Sequence, residues 1–469
     1  MTDVVVVGGG VAGLVAARDL AKGGANVVLV EASGVLGGMV RRHTVAGIDL
    51  DMAADSFATR TDAISRLAVE LGLGNDIVTP DQRGAWLMTR DGRTSPIPAT
   101  GLLGIPGTPM AADVLAVVGQ KGALRAQMDS LLPGPVGAKA PSLGELVRRR
   151  MGERVLDDLV VPIAGGVHST HPDRLDPDRV APGLRAALLR DGSLARAVLS
   201  LRSRAAAGSA VQGIRGGIVR LVDELVADTE TYHVDVRLHT TATAVEEHAV
   251  EVTGPDGITE RLVADHVLSS TPDPQRASAA DRTGIELVTL VVDEPALDAA
   301  PRGTGMLVHP DAGSVAAKAL THATVKWPWL AEAAGGRHVL RLSYATSPDG
   351  PAGARAHGAA GAGPDGAAGA ASDVGGPTGV ATSLPVDPSD PVGVRALRDA
   401  STLLGVRMGT DRVQGVARVR WYGPDTTAAG LADGVVGIGE ASTGRGLSGI
   451  VAGARAAAER ILDDADLGT

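Results

Sequence analysis

The period of apolar positions changes sharply along this chain. Val4-Val5-Val6-Val7 is an unbroken apolar run, the pattern of a parallel strand covered on both faces. It enters Gly8-Gly9-Gly10-Val11-Ala12-Gly13 and then an Ala- and Leu-rich stretch of helical period to about Lys22, where Gly23-Gly24 intervenes. Residues 27–30 form a second apolar run that ends at Glu31. The spacing predicts a βαβ unit of about 30 residues.

Further on, the period is helical over residues 63–73 and strand-like over 86–89 and 94–97, around an Asp91-Gly92 turn. Residues 111–204 read mostly as helices. Ser142 is placed to cap one of them, with Glu145 three positions on. A helix over 218–227 is followed by strands at 234–238, 242–246, 250–253 and 267–270, with Asp256-Gly257 as the turn between the last two. Residues 339–344 and 379–384 read as strands, and 349–378 between them is an Ala/Gly/Pro stretch without hydrophobic period, expected to be a surface loop. The chain closes on a strand at 435–438, a Gly-rich turn to Gly449 and a helix over 450–462.

Composition narrows the chemistry. At 469 residues the chain exceeds what one hydrophobic core normally serves. Cysteine is absent, which excludes a thiol nucleophile, a disulfide framework, Cys-ligated metal and sulfur-tethered cofactors. Aromatic residues are scarce at 2%, so base stacking on nucleic acid is not expected. The net charge of −10 also argues against a nucleic-acid partner. Lysines are few: Lys22, Lys121, Lys139, Lys318 and Lys326. No signal peptide and no apolar run of spanning length is read, so a cytoplasmic location is expected. Peripheral membrane contact through the helical region is a second expectation.

Gly8-x-Gly10-x-x-Gly13 followed by Glu31 fits a dinucleotide-binding βαβ turn. Gly8 permits the tight turn, Gly10 lets a pyrophosphate approach the backbone, and Gly13 lets helix and strand pack closely. Val11 and Ala12 open the helix whose N-terminus favours the anion. Glu31, with Ala32 behind it, is placed to accept ribose hydroxyls.

Gly37-Gly38-Met39-Val40-Arg41 then resembles the LGG-x-x-R segment of flavin-dependent amine-oxidase-like proteins. Gly437-Ile438-Gly439-Glu440-Ala441 resembles their last flavin-binding motif. The resemblance implies noncovalent FAD rather than NAD. It adds Gly37, Gly38, Met39, Ala54, Asp55, Ser56, Ala242, Glu440, Gly446 and Leu447 to the expected cofactor contacts.

In the middle of the chain come Val161-Pro162-Ile163-Ala164-Gly165-Gly166-Val167-His168, Pro172-Asp173-Arg174-Leu175, Ile214-Arg215-Gly216-Gly217, Lys318-Ala319-Leu320-Thr321 and Lys326-Trp327-Pro328. In this order they resemble bacterial, actinobacterial-type protoporphyrinogen/coproporphyrinogen III oxidases. The resemblance implies an α/β fold: a discontinuous Rossmann-type FAD-binding domain (1–95, 206–270 and 431–469), a helical domain (96–205) and a mixed-sheet substrate domain (271–430). It implies oxidation of a tetrapyrrole by hydride transfer to the flavin, with molecular oxygen as acceptor and hydrogen peroxide as product. No acid–base triad is expected, because the cofactor carries the reactivity.

The substrate's propionates call for cations. Arg60 is the first candidate, and Asp55 is a candidate for the pyrrole N–H groups or, equally, a helix N-cap. His168 reads as a structural histidine beside a Gly-Gly turn, and Trp327 and Trp329 as packing residues. The family usually carries Gly-Pro before Asp-Ser-Phe, whereas Ala53-Ala54 precede Asp55-Ser56-Phe57 here. Two alternatives stay open: a flavin amine oxidase or desaturase-like enzyme and, motivated by that departure and by a shortened Gly444–Gly449 turn, a flavin-binding protein with a decayed active site. The sequence names neither the oligomeric state nor the preferred porphyrinogen.

Overall fold

The computed structural model describes residues 2–59, 61–168, 170–204, 211–271, 284–346, 382–387, 389–422, 430–443 and 446–467. Arg60 and the stretch 349–378 lie outside the described residues.

The N-terminal strand Asp3–Val7 sits inside a parallel sheet. The strand order is Asp235–Arg237, Asn26–Val30, Asp3–Val7, His266–Ser269 and Val436–Gly437. Successive side chains of a strand point to opposite faces, and here each face has its own cover. Val4 and Val6 pack with the helices Val11–Lys22, Val219–Thr231 and Leu447–Leu467. Val5 and Val7 pack against an antiparallel meander, Thr241–Glu246, Ala249–Thr253 and Thr259–Val263. Two apolar layers explain why the run is unbroken.

This arrangement corrects one turn. Asp256-Gly257 joins Ala249–Thr253 to Thr259–Val263, a strand whose exposed, charged positions hid it. His266–Ser269 then leaves the meander for the parallel sheet. The last helix also starts earlier than its pattern suggests, at Leu447.

A second sheet has eight strands, in the order Thr382–Val386, Val413–Tyr422, Gly284–Val292, His338–Thr346, Ala319–His322, Gly305–Val308, Trp86–Met88 and Thr94–Pro96. It is mixed, because Gly305–Val308 runs parallel to Trp86–Met88 while the other pairs are antiparallel. The expected hairpin at Asp91-Gly92 is present, yet its strands belong to this sheet. Hydrogen bonding of Trp86–Met88 to Gly305–Val308 outweighs sequence proximity here.

One face of the large sheet (Val288, Leu290, Val292, Leu340, Leu342) packs on the helix Pro391–Leu404. On the other face Leu287 meets Met52 and Val419, so the sheet lies directly over the N-terminal domain.

Residues 112–204 carry the helical core. Its polar centre is Arg150, fully buried, whose guanidinium bonds Asp129 and the carbonyls of Asp129, Pro133 and Gly192. Asp129 in turn accepts from Ser193 Oγ and the Ala195 N–H at 2.9 Å each. Ser142 caps Leu143–Met151 by accepting the Glu145 N–H at 3.2 Å. Gly165 and Gly166 lie inside the helix Val161–His168 and form no turn, so His168 ends a helix. Among the described residues no helix is long and apolar enough to cross a membrane.

Candidate active site

The Gly-rich turn is built as its spacing demands. Gly8 has φ +98°, a conformation L side chains rarely adopt. A Cβ on Gly13 would lie 1.9 Å from the Gly8 carbonyl oxygen, so only glycine lets this helix seat on this strand. At Gly10 a Cβ would meet only the Gly38 Cα, at 3.9 Å. Gly10 is therefore not required by packing; its bare backbone faces open space, as a cradle for a pyrophosphate requires. Val11 and Ala12 are buried and begin the helix there.

Glu31 Oε2 accepts the Gly9 N–H at 2.7 Å, and Oε1 accepts both the Ser33 N–H and its hydroxyl. Both lone-pair sites of Oε1 are taken, but Oε2 keeps one, so the carboxylate is oriented by the turn and can still receive a hydroxyl on Oε2. Ala32 and Met39 are exposed. Gly37 bridges to Gly10 as an isolated β-pair, and its N–H donates to the Gly9 carbonyl at 2.8 Å. Gly37 and Gly38 both take positive φ. Ala242 lies on the first strand of the meander, against the core beneath Val30.

The motifs are tied to one another in sequence. The Met52 N–H donates to the Arg41 carbonyl at 2.8 Å. Phe57 pairs with Gln212, and Ser448 Oγ of the last helix donates to the Ala58 carbonyl at 3.1 Å. A continuous rim therefore runs from Gly10 through Gly37-Gly38 and residues 52–58 to Leu447. Gly446 is exposed with φ +83° and nothing within 4 Å of a built Cβ. Glu440 opens a short helix and is half-buried, with no hydrogen bond among the described residues.

The family that matches residues 11–343 is described as flavin containing amine oxidoreductase. The chain belongs to that family. It is an FAD-dependent oxidoreductase, and the Gly10–Gly38 cradle and the rim above it suit a dinucleotide. Among curated relatives, coproporphyrinogen III oxidase of Staphylococcus aureus is 26% identical over 70% of this chain and 75% of its own. Coproporphyrinogen III oxidase of Mycobacterium bovis is 29% identical over 74% of this chain and 77% of its own. A crystal structure from Exiguobacterium sp. 255-15 superposes with TM-score 0.74, at 21% identity over 99% of both chains.

Asp55 of this flavoprotein is neither an N-cap nor free. The helix that follows begins after Asp62. Asp55 Oδ1 accepts from Lys326 Nζ at 2.9 Å and from Ser56 Oγ at 3.0 Å. Oδ2 accepts the Trp327 indole N–H at 3.2 Å, with Arg341 Nη1 3.6 Å away. Burial alone would raise this carboxyl; the charges of Lys326 and Arg341 hold it at about 2 instead. Arg341 extends further and donates to the carbonyls of Met52 and Ala53. His43, buried beside that guanidinium, is pushed down to about 4 by burial and by Arg341's charge.

Lys326 and Trp327 stand in the sequence as a family segment, Trp327 read as a packing residue and Lys326 without a role. Arg341 and Asp51 gave no sequence signal, because each acts on residues more than a hundred positions away. Trp327 packs, at 2% exposure, and also donates to Asp55.

Proposed function

We propose that this protein oxidises a porphyrinogen, with coproporphyrinogen III as the preferred substrate, to the porphyrin, passing electrons through FAD to oxygen with release of hydrogen peroxide. The observation that carries this reading is the pair of coproporphyrinogen III oxidases matched across some three-quarters of each chain. Leu287, Met52 and Val419 form a buried aliphatic cluster where the large sheet meets residue 52 at the rim. The flavin supplies the hydride acceptor when bound. The residues named above act as cradle and rim, and their task is to hold the substrate against it.

Gly8, Gly10, Val11, Ala12, Gly13, Glu31, Ala32, Gly37, Gly38, Met39, Ala54, Asp55, Ser56, Ala242, Glu440, Gly446 and Leu447 are the proposed cofactor-contact set. Asp55 belongs to it through backbone and position, since its carboxylate is occupied. The segments 1–80, 206–270 and 431–469 are the proposed FAD-binding domain. The reading includes contact of the helical segment with a membrane surface, where Leu124, Met128 and Leu131 stand exposed on one helical stripe.

Incubating the yellow holoprotein with coproporphyrinogen III or protoporphyrinogen IX under oxygen tests the activity. Porphyrin fluorescence that grows with enzyme concentration, faster with coproporphyrinogen III, is the expected result. Yellow protein that oxidises neither would overturn the reading.

A further inference from the structure

Residues 53–56 are part of the rim and have almost no backbone support of their own. None of the backbone N–H groups of Ala53, Ala54, Asp55 or Ser56 donates a hydrogen bond among the described residues. Ala54 is exposed. The pair Ala53-Ala54 also lacks any residue that restricts φ, and flexible backbone beside a cofactor loses conformational entropy whenever it is ordered.

What holds this segment comes from the far side of the sequence. Arg341, on the central strand His338–Thr346 of the large sheet, donates from Nη2 to Met52 O and Ala53 O, and its Nη1 faces Asp55. Lys326 and Trp327, where the short helix Ala323–Lys326 meets Pro328–Ala334, donate to Asp55 and Ser56. These partners lie between 270 and 289 positions from the groups they hold. A guanidinium offers its donors in a fixed planar fork, so one side chain fixes two successive carbonyls and a carboxylate together. Arg341 is only 7% exposed, so it cannot leave for solvent.

We propose that Arg341 and Lys326 are positioning residues: acting through Asp55 and the carbonyls of Met52 and Ala53, they hold residues 52–56 in shape beside the FAD site and supply a rigidity that Ala53-Ala54 by itself does not. This rests on reading the Gly10–Leu447 rim as the FAD site.

A double-mutant comparison tests this. Proline at 54 fixes φ locally, and the Ala54 N–H it would remove makes no hydrogen bond among the described residues. The Kd for FAD is measured from flavin fluorescence on release, in Arg341→Met and Lys326→Met, each alone and with Ala54→Pro. In the Ala53-Ala54 chain each variant should weaken FAD binding about tenfold, and in the Ala54→Pro chain by no more than about threefold, because coupled positions are non-additive. Lys326→Arg should restore most of the loss of Lys326→Met. Equal losses in both backgrounds, or no loss in either, overturn the proposal. Should Arg341→Met fail to fold, the Lys326 series decides by the same criterion. The measurement uses no porphyrinogen, so a wild type that binds FAD yet oxidises no porphyrinogen refutes the proposed substrate and leaves this inference standing.

Discussion

The carboxylate of Asp51 accepts the amide N–H of Val219 at 2.9 Å, across 168 positions of sequence. Its other oxygen accepts the Ile218 N–H at 3.0 Å. The helix Val219–Thr231 is thus capped by a residue from another element, and a Cβ on Gly217 would lie 2.8 Å from Asp51 Oδ1. Gly217 is required by this cap. Burial raises the Asp51 carboxyl to about 6, against an ordinary 3.8, although both amide bonds favour the anion.

The sign of the pH effect follows. A carboxyl raised in the folded state takes up a proton on folding between about pH 4 and 6, so its ionisation opposes stability at neutral pH and that opposition fades as pH falls through 6. Relative to Asp51→Asn, the wild type should gain stability as pH drops from 6 to 4. Denaturant midpoints of the two proteins at pH 7, 6, 5 and 4 check this; a constant difference would contradict it.

Asp55 behaves in the opposite sense. Its carboxyl is held at about 2, against 3.8, so its contribution to stability is complete above about pH 4 and is lost as pH falls through 2. Lys326→Met leaves the buried carboxylate with fewer partners and should cost about 3 kcal/mol, the lower end for breaking a buried pair, because Arg341 and Trp327 remain. Thermal unfolding of the holoprotein at pH 7 measures it. In Asp55→Asn the acid-induced loss below pH 4 should be shallower than in wild type.

The two turn glycines should separate folding from cofactor binding. Gly10→Val has room for a side chain within the protein and should fold, but it fills the cradle, giving colourless protein with a near-normal far-UV spectrum. Gly13→Ala drives a Cβ to 1.9 Å from the Gly8 carbonyl and should unseat the helix itself, losing both. Flavin absorbance and circular dichroism read the pair, and yellow Gly10→Val would contradict the assignment.

In the helical domain Arg150 and Asp129 form a fully satisfied, buried ion pair. Removing one partner strands the other, so Arg150→Met should cost about 3–5 kcal/mol, while a surface pair such as Arg190–Asp191 should contribute under about 1 kcal/mol. Equilibrium unfolding of Arg150→Met and Arg190→Ala compares them.

The Lys318 ammonium makes no hydrogen bond or ion pair among the described residues, and burial lowers it below the ordinary lysine value. Lys318→Met keeps the stem and removes a desolvated charge. It should leave the melting temperature unchanged or higher; a marked drop would reveal a partner.

By itself the sequence determined the local framework. The unbroken Val4–Val7 run, the Gly8–Gly13 spacing and the periods of the helices report short-range sterics and burial, which are written in consecutive residues. The family segments likewise marked the cofactor class. Tertiary structure alone decided where the carboxylates point and what holds the crevice. Asp55 reads equally as a cap, a substrate contact or a flavin neighbour, because a side chain's partner is set by whatever the fold brings within about 3 Å. The fold brings Lys326, Trp327 and Arg341, and so turns a presumed contact residue into the anchor of its own segment.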